Sequence, residues 1–174
     1  IGGVYGRDVP AVVKFRNGFE QGARYINPDI EILGTYGDSF IDPAAGAAVA
    51  EAMINDFNAD VIFGAGGSTG SGGIQFAAQQ TIEVDGEELP VWVIGVDQDE
   101  YFTTFGGPDR ATLDNGADRI ISSATKAVDV GVYDMLNSLT AGEFEWLGGD
   151  HYLLDAAAGG VGFAPPHEAP VPDE

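Results

Sequence analysis

Val91-Trp92-Val93-Ile94-Gly95-Val96-Asp97-Gln98-Asp99 reads as a buried parallel strand that ends in a carboxylate. Five of its first six residues are large and apolar, and the run stops abruptly at Asp97. A continuous apolar run of this kind, without polar alternation, belongs to a strand covered on both faces. Open α/β sheets bind ligands in crevices beyond the carboxyl ends of their strands. Asp97 is therefore expected at such a crevice.

Working outward towards the amino terminus, the chain alternates strands with helical patterns. Residues 1–6 form a short strand ending at Gly6, and Pro10 opens a helix whose apolar stripe is Val12, Phe15, Phe19, Ala23 and Ile26. Asn27-Pro28-Asp29 breaks it, and Ile30 to Tyr36 is the second strand. The loop Gly37-Asp38-Ser39-Phe40-Ile41-Asp42-Pro43 hands over to a second helix, with Asp42 as its N-cap and Val49, Met53 and Phe57 on its stripe. Val61-Ile62-Phe63 is a third strand. It runs into a glycine-rich turn, residues 64–73, and a helix from Ile74 to about Thr81. Residues 84–90 read as a solvated, acidic insertion with hairpin character.

Beyond Asp99, a Gly/Pro/Asp-rich connection spans Phe105 to Asn115. The longest helix is expected over 117–139, with Ile121, Ala124, Val128, Val132, Met135 and Leu139 buried and Gly142 at its end. His151-Tyr152-Leu153-Leu154 and Gly159-Gly160-Val161-Gly162-Phe163 read as two short strands, and the Pro-rich acidic tail from Pro165 as disordered. The alternation predicts an α/β fold with a doubly wound parallel sheet.

Charge is the compositional outlier. The 174 residues carry 28 acidic and 7 basic side chains, a net charge of −21. So few cations leave nothing to neutralise phosphates, which excludes nucleic acid as a partner and an anionic membrane surface as a docking site. Abundant Asp and Glu with scarce Lys suggest adaptation to high salt, where self-repulsion is screened. With no cysteine, disulfides and thiol chemistry are excluded.

Few residues have the setting for chemistry. The glycine-rich run lacks the Gly-Lys-Ser/Thr of a phosphate loop, and the dinucleotide pattern fails because its last position falls on Thr69. It reads either as a turn that needs small residues or as a loop whose backbone N–H groups approach an uncharged ligand. The cluster Asp97-Gln98-Asp99-Glu100 has three readings: solvated surface, a metal site of hard oxygens, or an aspartate that accepts hydrogen bonds from the vicinal hydroxyls of a sugar. The last suits a strand-end aspartate best. Lys126, one of two lysines, either pairs with a local acid such as Asp129 or stands near Asp97 and donates to the same ligand. Phe40 is either an apolar staple at a helix entrance or a ring that stacks on a base. His151 and His167 are far apart, and no Ser-His-Asp arrangement emerges.

Taken together, the motifs resemble one family. Gly3-Val4-Tyr5-Gly6-Arg7-Asp8-Val9-Pro10 with Phe15, Gly18-Phe19 and Gly22-Ala23, then Asn27-Pro28-Asp29, Ser39-Phe40-Ile41-Asp42-Pro43, Ala59-Asp60-Val61-Ile62-Phe63 and Ala65-Gly66-Gly67-Ser68-Thr69-Gly70 follow in the family's order. Ile94-Gly95-Val96-Asp97-Gln98-Asp99, Ser122-Ser123-Ala124-Thr125-Lys126-Ala127-Val128-Asp129, Val132-Tyr133-Asp134 and Gly159-Gly160-Val161-Gly162-Phe163 complete it. The chain resembles the basic membrane protein family, PnrA-type substrate-binding lipoproteins of nucleoside ABC transporters, over residues 2–164.

The resemblance implies a two-lobed periplasmic-binding-protein type I fold that closes around a nucleoside, a purine nucleoside in the first instance. The family's ribose-binding aspartate and lysine match Asp97 and Lys126, its base-stacking aromatic matches Phe40, and Gly66-Gly67 line the same cleft. It implies a binding protein rather than an enzyme, with neither cofactor nor metal, which works with a permease and an ATPase from an extracytoplasmic, lipid-anchored position. Residues 1–164 then correspond mostly to the second lobe, with the amino-terminal lobe and lipid anchor outside the chain, and 165–174 form an acidic tail in place of the usual closing helix. The insertion at 83–90 and the long connection at 100–116 depart from the family's spacing. Two other classes stay open: a metal-dependent nucleoside hydrolase-like enzyme using Asp97 and Asp99, and a structural or assembly protein that keeps the fold without ligand.

Overall fold

The computed structural model describes residues 1–108, 115–143 and 152–171. Its elements are β1 (Gly2–Tyr5), α1 (Pro10–Ile26), β2 (Leu33–Tyr36), α2 (Pro43–Phe57), β3 (Val61–Ala65), α3 (Ser68–Ala77), β4 (Thr81–Val84), β5 (Glu87–Pro90) and β6 (Trp92–Asp97). The short helix α4 (Glu100–Thr103), a 3₁₀ turn (Ala117–Arg119), β7 (Ile120–Lys126), α5 (Val128–Ala141) and β8 (Val161–Phe163) complete the chain. Among the described residues the main sheet runs β2-β1-β3-β6-β7-β8. Its first five strands are parallel, and β8 is antiparallel to β7. The direction of winding reverses between β1 and β3. That is the topological switch point of the doubly wound class, where strand-end loops splay apart and leave a crevice.

Strand period two explains the layering. Val4, Ile62 and Val93 point to one face and pack on Ala50, Met53 and Ile54 of α2 and Ile74 and Ala77 of α3. Tyr5, Phe63 and Val96 point to the other and meet Val12, Phe15 and Phe19 of α1. Asp42 caps α2 as expected, accepting from Ala45 N at 3.0 Å, and Pro43 takes its first turn. Ile26 and Phe57, placed on buried stripes by the sequence, are the last residues of their helices and lie exposed. The acidic insertion is a hairpin, β4–β5, turned by Asp85 and Gly86, both at positive φ.

Four further expectations about the elements fail. The helix expected over 117–139 is a strand followed by a helix, so Lys126 ends β7 rather than lying mid-helix. The pairing of β6 with β7 shifts register between Val93 and Ile94, skipping Ile121. Ile121 and Ala124, both partly buried on β7, fall three residues apart and run on into Val128 and Val132 of the true helix, which imitates one continuous helical period. Second, the glycine run is not a loop up to Ile74: α3 begins at Ser68, its glycines packed against neighbouring backbone. Third, the strand expected at 151–154 is absent from its described part, Tyr152–Leu154, while His151 lies outside the described residues. Fourth, residues 165–171 are not disordered.

That tail packs back on α4. The His167 ring stacks on Tyr101 with centroids 4.1 Å apart, its Nε2 lies 2.7 Å from Asp99 Oδ2, and Tyr101 donates to Glu168 Oε1 at 2.8 Å. Ala169 is buried. Removing residues 165–174 is expected to cost about 2 kcal/mol by uncovering this aromatic surface. Calorimetry should then show a fall in Tm of about 5 °C; an unchanged Tm would mean the tail adds no stability.

Candidate functional site

The carboxyl ends of β1, β3, β6 and β7 and the loop after β2 meet at the switch point. Gly6 follows β1 and Gly66 follows β3, and the two loops touch: Gly6 N donates to Ala65 O at 3.1 Å. A Cβ on Gly66 would stand 2.6 Å from Gly6 N, so no side chain fits there. Gly67 caps α3 at φ +56°, a conformation that favours glycine, and a Cβ on it would meet Phe40 O at 2.8 Å. The small residues of this turn are thus required by backbone approach. Phe40 lies over Gly6 and remains about one-third exposed towards the crevice, with 37% of its surface free.

Asp97 is the last residue of β6, held at φ +69°, and pairs in register with Thr125 of β7. That pairing brings the next residue, Lys126, alongside: its Nζ lies 2.7 Å from Asp97 Oδ1. Both side chains are partly open to solvent, 49% for the aspartate and 38% for the lysine. The lysine also stands 5.5 Å from the Phe15 ring centroid, within cation–π range. Of the two sequence readings for Lys126, the ion pair seen among the described residues is with Asp97.

The acidic cluster is not one site. Asp97 faces the crevice. Asp99 turns the other way, capping α4 through Tyr101 N at 3.2 Å and meeting His167 of the tail. Glu100 points into the interior and is 4% exposed. Its carboxyl is pushed up to about 7, chiefly by burial, with hydrogen bonds from Thr104 and Ser71 opposing and the charge of Asp97 adding. Among the described residues, no three His, Cys, Asp or Glu side chains converge as metal ligands would.

The crevice itself has a volume of about 330 Å³ and is lined by Phe40, Gly66, Gly67, Asp97 and Lys126 together with Val9, Val12, Phe15, Ala65 and Val96. All five residues singled out in the sequence therefore share one cavity. Its chemistry is an aromatic ring, an apolar wall, a close backbone turn and one ion pair with free hydrogen-bonding capacity. Such a surface suits an uncharged ligand with a flat face and adjacent hydroxyls. The sequence missed Val9 and Phe15 as wall residues because helical periodicity assigns Phe15 to the core. A second crevice, about 260 Å³, lies at the opposite end of the sheet near Ile30, Leu33, Phe57 and Asp60, where sheets of this class do not place ligands.

The family described as "ABC transporter substrate-binding protein PnrA-like" matches residues 1–173. The "CD4+ T-cell-stimulating antigen" of Listeria monocytogenes is 32% identical over 92% of this chain and 43% of its own length. The "ABC transporter nucleoside-binding protein BmpA" of Lactococcus lactis is 30% identical over 92% of this chain and 44% of its own. Among solved structures, an ABC transporter solute-binding protein from Aeropyrum pernix superposes with a TM-score of 0.71 at 29% identity, covering 94% of this chain and 40% of that one. The chain thus spans less than half the length of these relatives.

Proposed function

The chain belongs to the PnrA-like family of ABC transporter substrate-binding proteins, and on that premise we propose that the crevice at the switch point binds a nucleoside for delivery to a membrane transporter. The observation that carries this reading is the Asp97–Lys126 pair, 2.7 Å apart, in the same cavity as Phe40. The aspartate accepts both hydroxyls of the ribose as a charged bidentate acceptor. Lys126 donates to the same hydroxyls and holds the carboxylate in place. Phe40 offers its open face to the base, and the Gly66-Gly67 turn lets the ligand reach backbone N–H groups. The relative named as nucleoside-binding supports this ligand class. The preference within it is for a purine, whose two fused rings cover more of Phe40. The partners are the permease and ATPase of an ABC importer, and the setting is extracytoplasmic through a lipid anchor.

Residues 1–164 serve as one lobe of a larger binding protein, and a second lobe closes over the crevice. Two observations support this. The cavity is walled by strand ends, the Gly66-Gly67 turn and the start of α1, yet Phe40, Asp97 and Lys126 within it stay partly exposed, whereas ligand sites bury most of their ligand. Among the described residues, none of α5 is buried, and Val128, Val132, Tyr133 and Leu136 are each more than half exposed. An apolar helix face of this size normally has a partner. It also overturns the buried stripe expected for this helix.

Calorimetry with a panel of nucleosides tests the reading on this chain and on a protein of the relatives' full length that contains it. The long protein should bind a nucleoside at least about 100-fold more tightly than residues 1–174 alone, since enclosure needs both walls. A long protein that ignores every nucleoside would overturn the ligand class, and metal-dependent release of free base would make the protein an enzyme. In the long protein, Phe40→Ala should weaken binding by about 1–3 kcal/mol, the range for a base stacked on an aromatic ring; unaltered affinity would return Phe40 to a purely packing role.

A further inference from the structure

Behind the crevice wall, Glu100 has surroundings that packing alone does not explain. Its side chain is 4% exposed, and among the described residues its Oε2 has no hydrogen-bond partner of good geometry. Its backbone N–H donates to Ser123 Oγ of β7 at 3.1 Å, which anchors the start of α4 to the sheet. From α3, the Ser71 hydroxyl lies 3.2 Å from Glu100 Oε1 and equally 3.2 Å from the carbonyl oxygen of Gly67. A hydroxyl has one hydrogen to give. If Ser71 donates to Gly67, the contact with Glu100 is satisfied only when the carboxyl is protonated and donates to Ser71 Oγ. If Glu100 is ionised, the serine hydrogen turns to the carboxylate, and the Gly67 carbonyl keeps only the helical bond from Ser71 N at 2.9 Å.

Gly67 is the corner of the crevice that supports Phe40, so the state of Glu100 reaches the wall through one serine. Burial and the charge of Asp97 favour the protonated acid, while hydrogen bonds from Thr104, Ser71 and the Val96 backbone oppose it. From β6 and the turn after it come Asp97 and Asp99; from β7 comes Lys126, already engaged by Asp97; from the tail come His167, held by Asp99, and Glu168, held by Tyr101. From α3 the facing group is the uncharged Ser71. Among the described residues no cation pairs with Glu100, so an ionised Glu100 is a buried, unpaired anion behind Asp97.

We propose that Glu100 is a proton-holding positioning residue for the crevice: its carboxylic acid fixes the Gly67 corner through Ser71 and leaves Asp97 as the anion that meets the ligand. Ligand binding is thereby coupled to a proton on Glu100. The burial that lifts this carboxyl to about 7 sets the transition near neutral pH. The sign follows: affinity is full below that value and declines as pH rises through it. The ligand part of this inference rests on the nucleoside reading; the proton relay does not.

The test therefore has a ligand-free arm. In ¹⁵N-labelled full chain, the amide resonances of Gly67 and Ser71 are followed from about pH 5 to about pH 9. They should move together with one midpoint near neutrality, and stay flat in Glu100→Gln, which mimics the protonated acid. Resonances that are flat in the native chain, or that still titrate in Glu100→Gln, overturn the relay. Ser71→Ala gives a second route should the glutamine variant not fold: it keeps the acid but cuts the link, so a Gly67 response that survives it also overturns the relay. In the ligand arm, nucleoside Kd in the long protein should rise about tenfold between about pH 6 and pH 8.5, against less than about twofold in Glu100→Gln. A native Kd independent of pH overturns the coupling. Absence of nucleoside binding at every pH overturns the ligand class alone, and the amide titration then decides the relay by itself.

Discussion

Asp97→Asn should weaken nucleoside binding by about 100-fold or more while leaving the fold nearly as stable as before. The loss of affinity follows from replacing a charged bidentate acceptor with an amide that offers one acceptor oxygen and leaves Lys126 without its counter-charge. The stability term is small because the Asp97–Lys126 pair is substantially exposed, and ion pairs of that kind are worth about 1 kcal/mol or less. Asparagine is the informative replacement. It tolerates the φ of +69° that Asp97 adopts at the end of β6, whereas a bulkier residue would add strain. Calorimetric titration gives the affinity and differential scanning calorimetry the stability. An affinity within about threefold of the native value would remove Asp97 from the site. A fall in Tm of more than about 5 °C would instead make it a structural residue.

Gly46→Ala should have the largest effect on stability, in the opposite manner: on the fold first and on binding only through it. A Cβ on Gly46 would lie 1.8 Å from Thr69 O and 2.7 Å from Thr69 C. Both are backbone atoms of α3, which cannot swing aside as a side-chain end can. Helices α2 and α3 therefore approach through glycine on both sides, since Gly72 likewise has Pro43 against it, with backbone within 2.5 Å of its missing Cβ. Pushing them apart uncovers Ala50, Met53 and Ile74 at once. The expected cost is about 3 kcal/mol or more, at the upper end for overpacking. Gly18→Ala and Gly22→Ala in α1 supply the control, because nothing stands within 4 Å of either missing Cβ. Each should stabilise the chain by about 0.5–1 kcal/mol through helix propensity. Urea unfolding measures all three midpoints, and a Gly46→Ala midpoint equal to the native one would contradict the close approach of the two helices.

The order of β1 to β6 with α1 to α3 is legible in the chain because its signals are local. A proline at a first turn, an aspartate before a proline and an apolar run ending in Gly95-Val96-Asp97 depend on neighbours a few residues away. For the same reason Asp97 could be recognised as a strand-end carboxylate before any pairing was known. What the chain alone determined is the class of fold and the residue types at the strand ends. The tertiary structure decided the rest. Strand β7 was hidden because Ile121 and Ala124 fall three residues apart and continue into the stripe of the helix that follows, and only the pairing of β7 with β6 puts Lys126 within 2.7 Å of Asp97. The fates of Asp99 and Glu100 were equally illegible. Adjacent in sequence, they part company because a tail nearly 70 residues later claims one, while Ser71 and Ser123, from two other elements, enclose the second. Contacts over such separations leave no local pattern, since side chains of any spacing can meet once the sheet has brought their strands together.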